Sequence, residues 1–176
     1  KLVVVSLLGG EGYWQYGFEQ LQFWAQKKRR TLIIVPGDDS EDEALFNACT
    51  VDYQDAFKVW RYLRESGVDN NRHLFHFLGA QYFNIETTWQ DPKVLPPCMI
   101  YMPAYKGSYQ QANLNDWRTR WKKNSVNEKS NPVCLLLFYR SHLQSANTEM
   151  FDELILVMEN QGLNPLPIAL ASLKDE

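Results

Sequence analysis

The stretch KLVVVSLLGGEGYWQYGFEQLQFWAQKKRRTLIIVPG, residues 1–37, decides the fold class. Leu2 to Leu8 is an apolar, β-branched run of strand length, TLIIVPG at 31–37 is a second, and Gly or Pro punctuates the end of each. Between them Trp14, Phe18, Leu21 and Ala25 recur at helical spacing, and this helix finishes in Lys27, Lys28, Arg29 and Arg30. Cations at a helix C-terminus complement its dipole, so KKRR has a structural reason to stand there. Strand, helix and strand at this spacing predict a right-handed βαβ unit and a parallel sheet, because parallel neighbours need a crossover.

Further along, the acidic loop PGDDSEDE at 36–43 ends where an Asp or Ser caps a following helix. Residues 52–66 put Ala56, Trp60 and Leu63 on one face and stop at Gly67, and 70–83 carry Leu74, Phe77, Leu78 and Tyr82, which predicts an αα-hairpin. After the loop QDPKVLPP comes a short strand, CMIYM at 98–102, and then a helix over 113–123 with Leu114, Trp117 and Trp121 on one face. NSVNEKSNP, residues 124–132, is polar and closed by proline, the natural place for an internal boundary within the 1–176 chain. VCLLLF at 133–138 predicts a strand, Phe151, Leu154, Ile155 and Met158 a helix, Gly162 its C-cap, and PLPIAL a last strand. Dominant βα alternation makes this an α/β chain, expected as a three-layer sandwich with one mostly parallel sheet of about five strands, Rossmann-like or flavodoxin-like.

The net charge of -3 argues against nucleic acid or an anionic membrane as the main partner. The cysteines Cys49, Cys98 and Cys134 are odd in number and far apart, so neither a disulfide framework nor a zinc site is indicated, and a reducing, cytoplasmic compartment is expected. No apolar run approaches the ~20 residues of a membrane span. A chain that opens on Lys1 and stops at SLKDE reads as a piece excised from a longer polypeptide.

In open parallel sheets, ligands collect at the carboxyl ends of strands, where helix N-termini point free N–H groups outward. Three loops qualify and are expected on one rim: GGEGYWQYG at 9–17, PGDD at 36–39 and YRSH at 139–142. Gly9, Gly10 and Gly12 let backbone approach a ligand, but the spacing is not G-x-G-x-x-G and Glu11 repels phosphate, which argues against a nucleotide. Tyr13, Trp14 and Tyr16 suit a flat apolar ligand, although this spacing requires at least one of them in the core. Asp38 and Asp39 fit either a hard cation or a helix cap.

Arg140 and His142, as alternate residues at a strand end, are expected to point the same way and form a carboxylate-binding surface with a titratable neighbour. Tyr139 and Ser141 flank them, and with Glu11, Tyr13 and Trp14 complete the candidate ligand contacts. The alternative is that Arg140 pairs with Glu149 or Asp152 and holds the loop closed. His73 and His76, at i and i+3, share a helix face, yet two ligands are not a metal site. No Ser-His-Asp order, H-E-x-x-H, Walker A or metal-spaced cysteine set is present, so no catalytic residue is assigned.

GGEGYWQYGFEQLQ, PGDDSEDEAL, VWRYLRESGVDNNRHLFHFL and above all VCLLLFYRSHLQSANTEMFDELILVMENQGLNPLPIALASLKDE resemble the N-terminal part of the large subunit of ATP-dependent tetrapyrrole metal chelatases. That family comprises the cobaltochelatase CobN subunit and the magnesium-chelatase H subunit, and the first block is closer to the cobalt branch. Where the family shows a Gly-Ile-Tyr-His-Pro-like run, this sequence has CMIYMPAYKG, with Met102 in the histidine's place. The resemblance implies a tetrapyrrole substrate, Co2+ or Mg2+ to insert, and ATP hydrolysed by an AAA+ partner subunit beside a further small subunit. It also implies that Arg140 pairs with a ring-substituent carboxylate or amide, with His142 carrying a proton or fixing a hydrogen bond. The base and metal ligands are expected in the rest of the large subunit, with no cofactor held by this piece. A rival expectation is a non-catalytic docking module using the Trp117 and Trp121 helix and its basic fringe.

Overall fold

The computed structural model describes residues 1–103, 110–122 and 131–174. The chain forms two compact units, Lys1–Lys93 and Val94–Glu176. Residues 124–130 of the expected internal boundary, with Lys123, lie outside the described residues.

In the first unit, β1 (Leu2–Leu7), α1 (Gln15–Lys28) and β2 (Thr31–Pro36) form the expected βαβ. The strands are parallel, in register from Leu2 opposite Thr31 to Leu7 opposite Pro36. After them come α2 (Glu43–Asn47), α3 (Tyr53–Glu65) and α4 (Gly67–Phe83). Strand alternation divides the core in two. Leu32 and Ile34 meet Phe18 and Ala25 of α1. Ile33 and Val35 meet Ala56, Val59, Trp60, Leu74 and Phe77 of α3 and α4 on the other side. Buried on both faces, β2 reads as a continuous apolar run instead of an alternating one.

The α/β class and the expected strands and helices are present, but the sheet is not the single, mostly parallel one. Among the described residues there are two sheets, β1–β2 and a second ordered β4–β3–β6–β5. The outer edge of β2 shows why the first stops growing. Leu32 N–H donates to Thr50 Oγ1 at 2.8 Å and Leu32 O accepts from Thr50 N–H at 2.9 Å. Next along, Ile34 N–H donates to Cys49 Sγ and Ile34 O accepts from the same thiol, both at 3.2 Å. The ladder groups of Leu32 and Ile34 that would recruit another strand on that edge are already used. Burial pushes the Cys49 thiol up from its ordinary pKa, which keeps its proton available for Ile34 O.

Beyond α4 the chain runs extended and is pinned to that helix. Asn70 exchanges hydrogen bonds with Lys93, donating to its carbonyl at 2.9 Å and accepting its N–H at 2.8 Å. His73 Nδ1 accepts from Gln90 N–H at 3.3 Å and His76 Nδ1 lies 3.0 Å from Thr88 O. Those contacts give each imidazole a structural use. Among the described residues no group of three or more His, Cys, Asp or Glu is arranged to hold a metal ion.

In the second unit, β3 (Cys98–Met102), β4 (Gln110–Ala112), α5 (Leu114–Lys122), β5 (Val133–Tyr139), α6 (Ser141–Gln144), α7 (Glu149–Asn160) and β6 (Asn164–Leu170) follow in order. β5 and β6 are parallel, joined through α7, whereas β3 runs antiparallel to both β6 and β4. Phe138 of β5 stacks on Phe151 of α7 with centroids 4.1 Å apart, in a core with Tyr101, Ile155, Trp117 and Trp121. Trp117 Nε1 donates to Pro165 O at 2.6 Å and Trp121 Nε1 to Glu159 Oε1 at 2.6 Å. The two tryptophans are core, not a docking face. Among the described residues no helix is long and apolar enough to cross a membrane.

Two predictions follow from these contacts. Thr50→Val leaves the buried Leu32 N–H without its acceptor, so it lowers unfolding free energy by about 1–3 kcal/mol in urea, while Thr50→Ser retains most of the stability. The second concerns alkali. Burial, with nearby Asp91, pushes Tyr62 up to about 12. Burial and the Asp55 carboxylate raise Tyr82, and burial and Asp152 raise Tyr101. In the unfolded chain these phenols ionise near ~10; in the folded chain they stay protonated. Their contribution is therefore complete below about pH 10 and is lost as pH rises toward and beyond 12. Melting temperature falls steeply over that range, and tyrosinate absorbance shows a late-titrating class that disappears on unfolding.

Candidate functional site

The candidate residues occupy two corners, one in each unit. In the first, β1 leaves through Gly9 and Gly10, at φ 85° and 73°. A Cβ on Gly17 would fall 2.0 Å from the Trp14 ring, so glycine in the first turn of α1 makes room for the indole. Trp14 stays 49% exposed, and Tyr13 and Tyr16 are more open still. Glu11 is exposed beside them. The core position expected within this aromatic cluster is taken by Phe18 instead.

Since β1 and β2 are parallel, their carboxyl ends do meet, and Gly37 N–H donates to Leu7 O at 2.9 Å. A cleft of about 460 Å³ opens there, lined by Gly9, Gly10, Asp38, Glu41, Asp42 and Glu43. Its acids have local work. Asp42 Oδ1 caps α2, accepting from Ala44 N–H at 3.0 Å and Leu45 N–H at 3.2 Å. Asp38 Oδ1 accepts from Ser40 N–H at 3.0 Å. So many carboxylates repel a phosphate or a carboxylate-bearing ligand from this cleft.

The YRSH corner belongs to the second unit. There β5 ends at Tyr139, and Arg140 already has helical geometry, φ -53° and ψ -26°, leading into α6. Strand alternation therefore does not extend to His142, and residues two apart on a helical turn point about 200° apart. The side chains accordingly diverge. Arg140 Nη1 donates to Leu95 O at 2.5 Å and Pro96 O at 3.3 Å. His142 packs edge-on against Phe151, centroids 4.9 Å apart at 71°. The shared carboxylate-binding surface expected of this pair is not formed.

The alternative, an ion pair from Arg140 to Glu149 or Asp152, is not formed either. Asp152 is taken by Tyr101, whose hydroxyl donates to Oδ1 at 2.5 Å, and by Thr148 Oγ1 at 3.4 Å from Oδ2. Loop closure is nevertheless what Arg140 achieves, through two backbone carbonyls just before β3. A carbonyl acceptor has no residue-type signature, so sequence reading had no means of finding Leu95 or Pro96. Tyr139 and Ser141 are exposed. Tyr139 borders an apolar hollow of about 100 Å³ with Leu137, Phe138, Leu170 and Leu173. That is well below the roughly 300–1,000 Å³ of a small-molecule site, so this hollow does not house a macrocycle by itself.

An α/β chain with a guanidinium clamp behind a strand–helix corner is the class of structure that the fold and these corners define. A model of the CobN/Magnesium Chelatase family matches residues 60–176, and the chain belongs to that family. It is 39% identical over 175 residues to the aerobic cobaltochelatase subunit CobN of Pseudomonas aeruginosa, covering 99% of this chain and 13% of that one. Against the CobN subunit of a Sinorhizobium species it is 30% identical over 177 residues, covering 99% and 14%. Among solved structures it superposes on the catalytic subunit of cobaltochelatase from Mycobacterium tuberculosis with a TM-score of 0.72 and 25% identity, again over 99% of this chain and 13% of that one.

The clamp is testable on its own. Arg140→Ala removes a charged donor from two carbonyls and destabilises the protein by about 2 kcal/mol in denaturant titration. Arg140→Lys restores only part of that loss, since an ammonium lacks the planar fork.

Proposed function

We propose that the chain is the N-terminal part of the large, tetrapyrrole-binding subunit of a metal chelatase that inserts Co2+ into a corrin ring. Identity of 39% across 99% of the chain to a CobN subunit carries this reading and favours cobalt over magnesium. In this reading ATP is hydrolysed by an AAA+ partner, a further small subunit completes the assembly, and the complex works in the cytoplasm. Insertion of a divalent ion displaces the proton held on the inner nitrogens of a corrin, so the reaction needs a base near the ring and a held ion. Those groups are assigned to the rest of the large subunit.

This chain supplies ring contacts and their support. Tyr13 and Trp14, which do not line the acidic cleft, offer exposed aromatic faces to the macrocycle, and Glu11 accepts from an amide substituent. In the second unit, taken by itself, Tyr139 and Ser141 offer exposed hydroxyls as candidate ligand contacts. Arg140 is a positioning residue, fixing Leu95 and Pro96 against the start of α6, and His142 keeps that turn on Phe151.

The test is a fluorescence-quenching titration with a cobyrinic-acid-type corrinoid and with a protoporphyrin. Trp60, Trp117 and Trp121 are buried, which makes half-exposed Trp14 a sensitive reporter. Saturable quenching by the corrinoid, absent with the porphyrin and diminished in Trp14→Phe, is the expected result. Quenching by neither ligand overturns ring binding by this chain, and a preference for the porphyrin overturns the cobalt assignment.

A further inference from the structure

One surface is at odds with the rest of the molecule. On β5, alternate residues Val133, Leu135, Leu137 and Tyr139 are 57%, 54%, 47% and 49% exposed. Their neighbours Leu136 and Phe138 turn the other way, into the core under α7. The register sets Ile168 and Leu170 of β6 beside Leu137 and Tyr139. It also puts Cys98 of β3 across from Leu170 on the same face. This face carries no charge along β5, and β5 is an edge strand with nothing paired on its outer side among the described residues.

Parallel strands are ordinarily covered on both faces. An apolar edge strand without a gatekeeping charge invites association. The face therefore has the character of an interior surface. Leu173, just after β6, already shares the hollow with Leu137, Tyr139 and Leu170. The relatives are several times longer than the matched region, since this chain corresponds to 13% of their length.

We propose that the β5–β6 face opposite α7 is the seat for the polypeptide that follows residue 176 in CobN-length proteins, which lays an apolar surface over Leu135, Leu137 and Ile168. This rests on the chain being the N-terminal part of such a subunit, but not on its chemistry. A tethered segment competes at an effective concentration in the mM range for a short linker, far above that of a second copy in dilute solution. A second copy pairing edge to edge along β5 leaves the face itself open. The intramolecular occupant satisfies both the tether and the burial.

The test compares the 176-residue chain with the CobN-length polypeptide containing it, by alkylation with iodoacetamide read out peptide by peptide. Leu135→Cys and native Cys98 report the face, and Ser145→Cys, exposed elsewhere, is the control. In the short chain all three react readily. In the long polypeptide Leu135→Cys slows by about tenfold or more, as for a group reached only by local opening, while the control is unchanged. Equal rates at residue 135 in the two proteins overturn the proposal. Protection in the short chain that grows with concentration, with a dimer by light scattering, makes a second copy the occupant and overturns it too. Chelation by the long polypeptide with its partner subunits is assayed separately. Protection without chelation leaves this face assigned and removes the function proposed above; chelation without protection does the reverse.

Discussion

The first unit depends on what happens along one side of β2. Thr50 and Cys49 hold the backbone of Leu32 and Ile34 in the way a neighbouring strand would, with side-chain oxygen and sulfur in place of part of a ladder. A strand buried on both faces cannot leave those groups bare. Because the sheet stops there, α2 and α3 can follow directly, and α3 and α4 cover the face of Ile33 and Val35. The later strands must then assemble elsewhere, and they form the second sheet around β6.

The second unit is organised by side chains that reach from one element to the next. Tyr101 ties β3 to the first turn of α7 through Asp152. Glu159, at the far end of α7, receives Trp121 Nε1 and the Arg120 guanidinium, which also lies 4.8 Å over the Trp121 ring. The basic fringe of α5 thus has an internal partner at Arg120. Tyr101 and Trp121 are almost wholly buried, so their polar atoms need those partners.

Periodicity made the βαβ start, the α3–α4 pair and the β5–α7–β6 run legible, because each leaves a regular trace of apolar residues. Which sheet a strand joins leaves no such trace. The Cys49–Thr50 clip is two ordinary loop residues, and nothing in their spacing announces that an edge is closed. The Trp117 and Trp121 stripe was legible as a helix face but ambiguous in destination, since a core face and a docking face share one pattern. At Arg140 the error was geometric. Extending strand alternation one residue past Tyr139 paired it with His142, whereas the backbone had already turned helical. The family was legible because long ordered blocks carry more information than any isolated pair, and site roles were not, because partners such as the Leu95 carbonyl are backbone.

The Asn70–Lys93 exchange bears on how such a chain is made. Lys93 is the last residue of the first unit, and its N–H and C=O both close on a side chain only 23 positions earlier. Short loops of this kind close cheaply and early. During synthesis the unit can therefore complete its hydrogen bonding once residue 93 clears the ribosome, before the apolar strand at 133–139 has emerged. A long subunit that matures in this stepwise order shields its first core from the sticky segments that come after it.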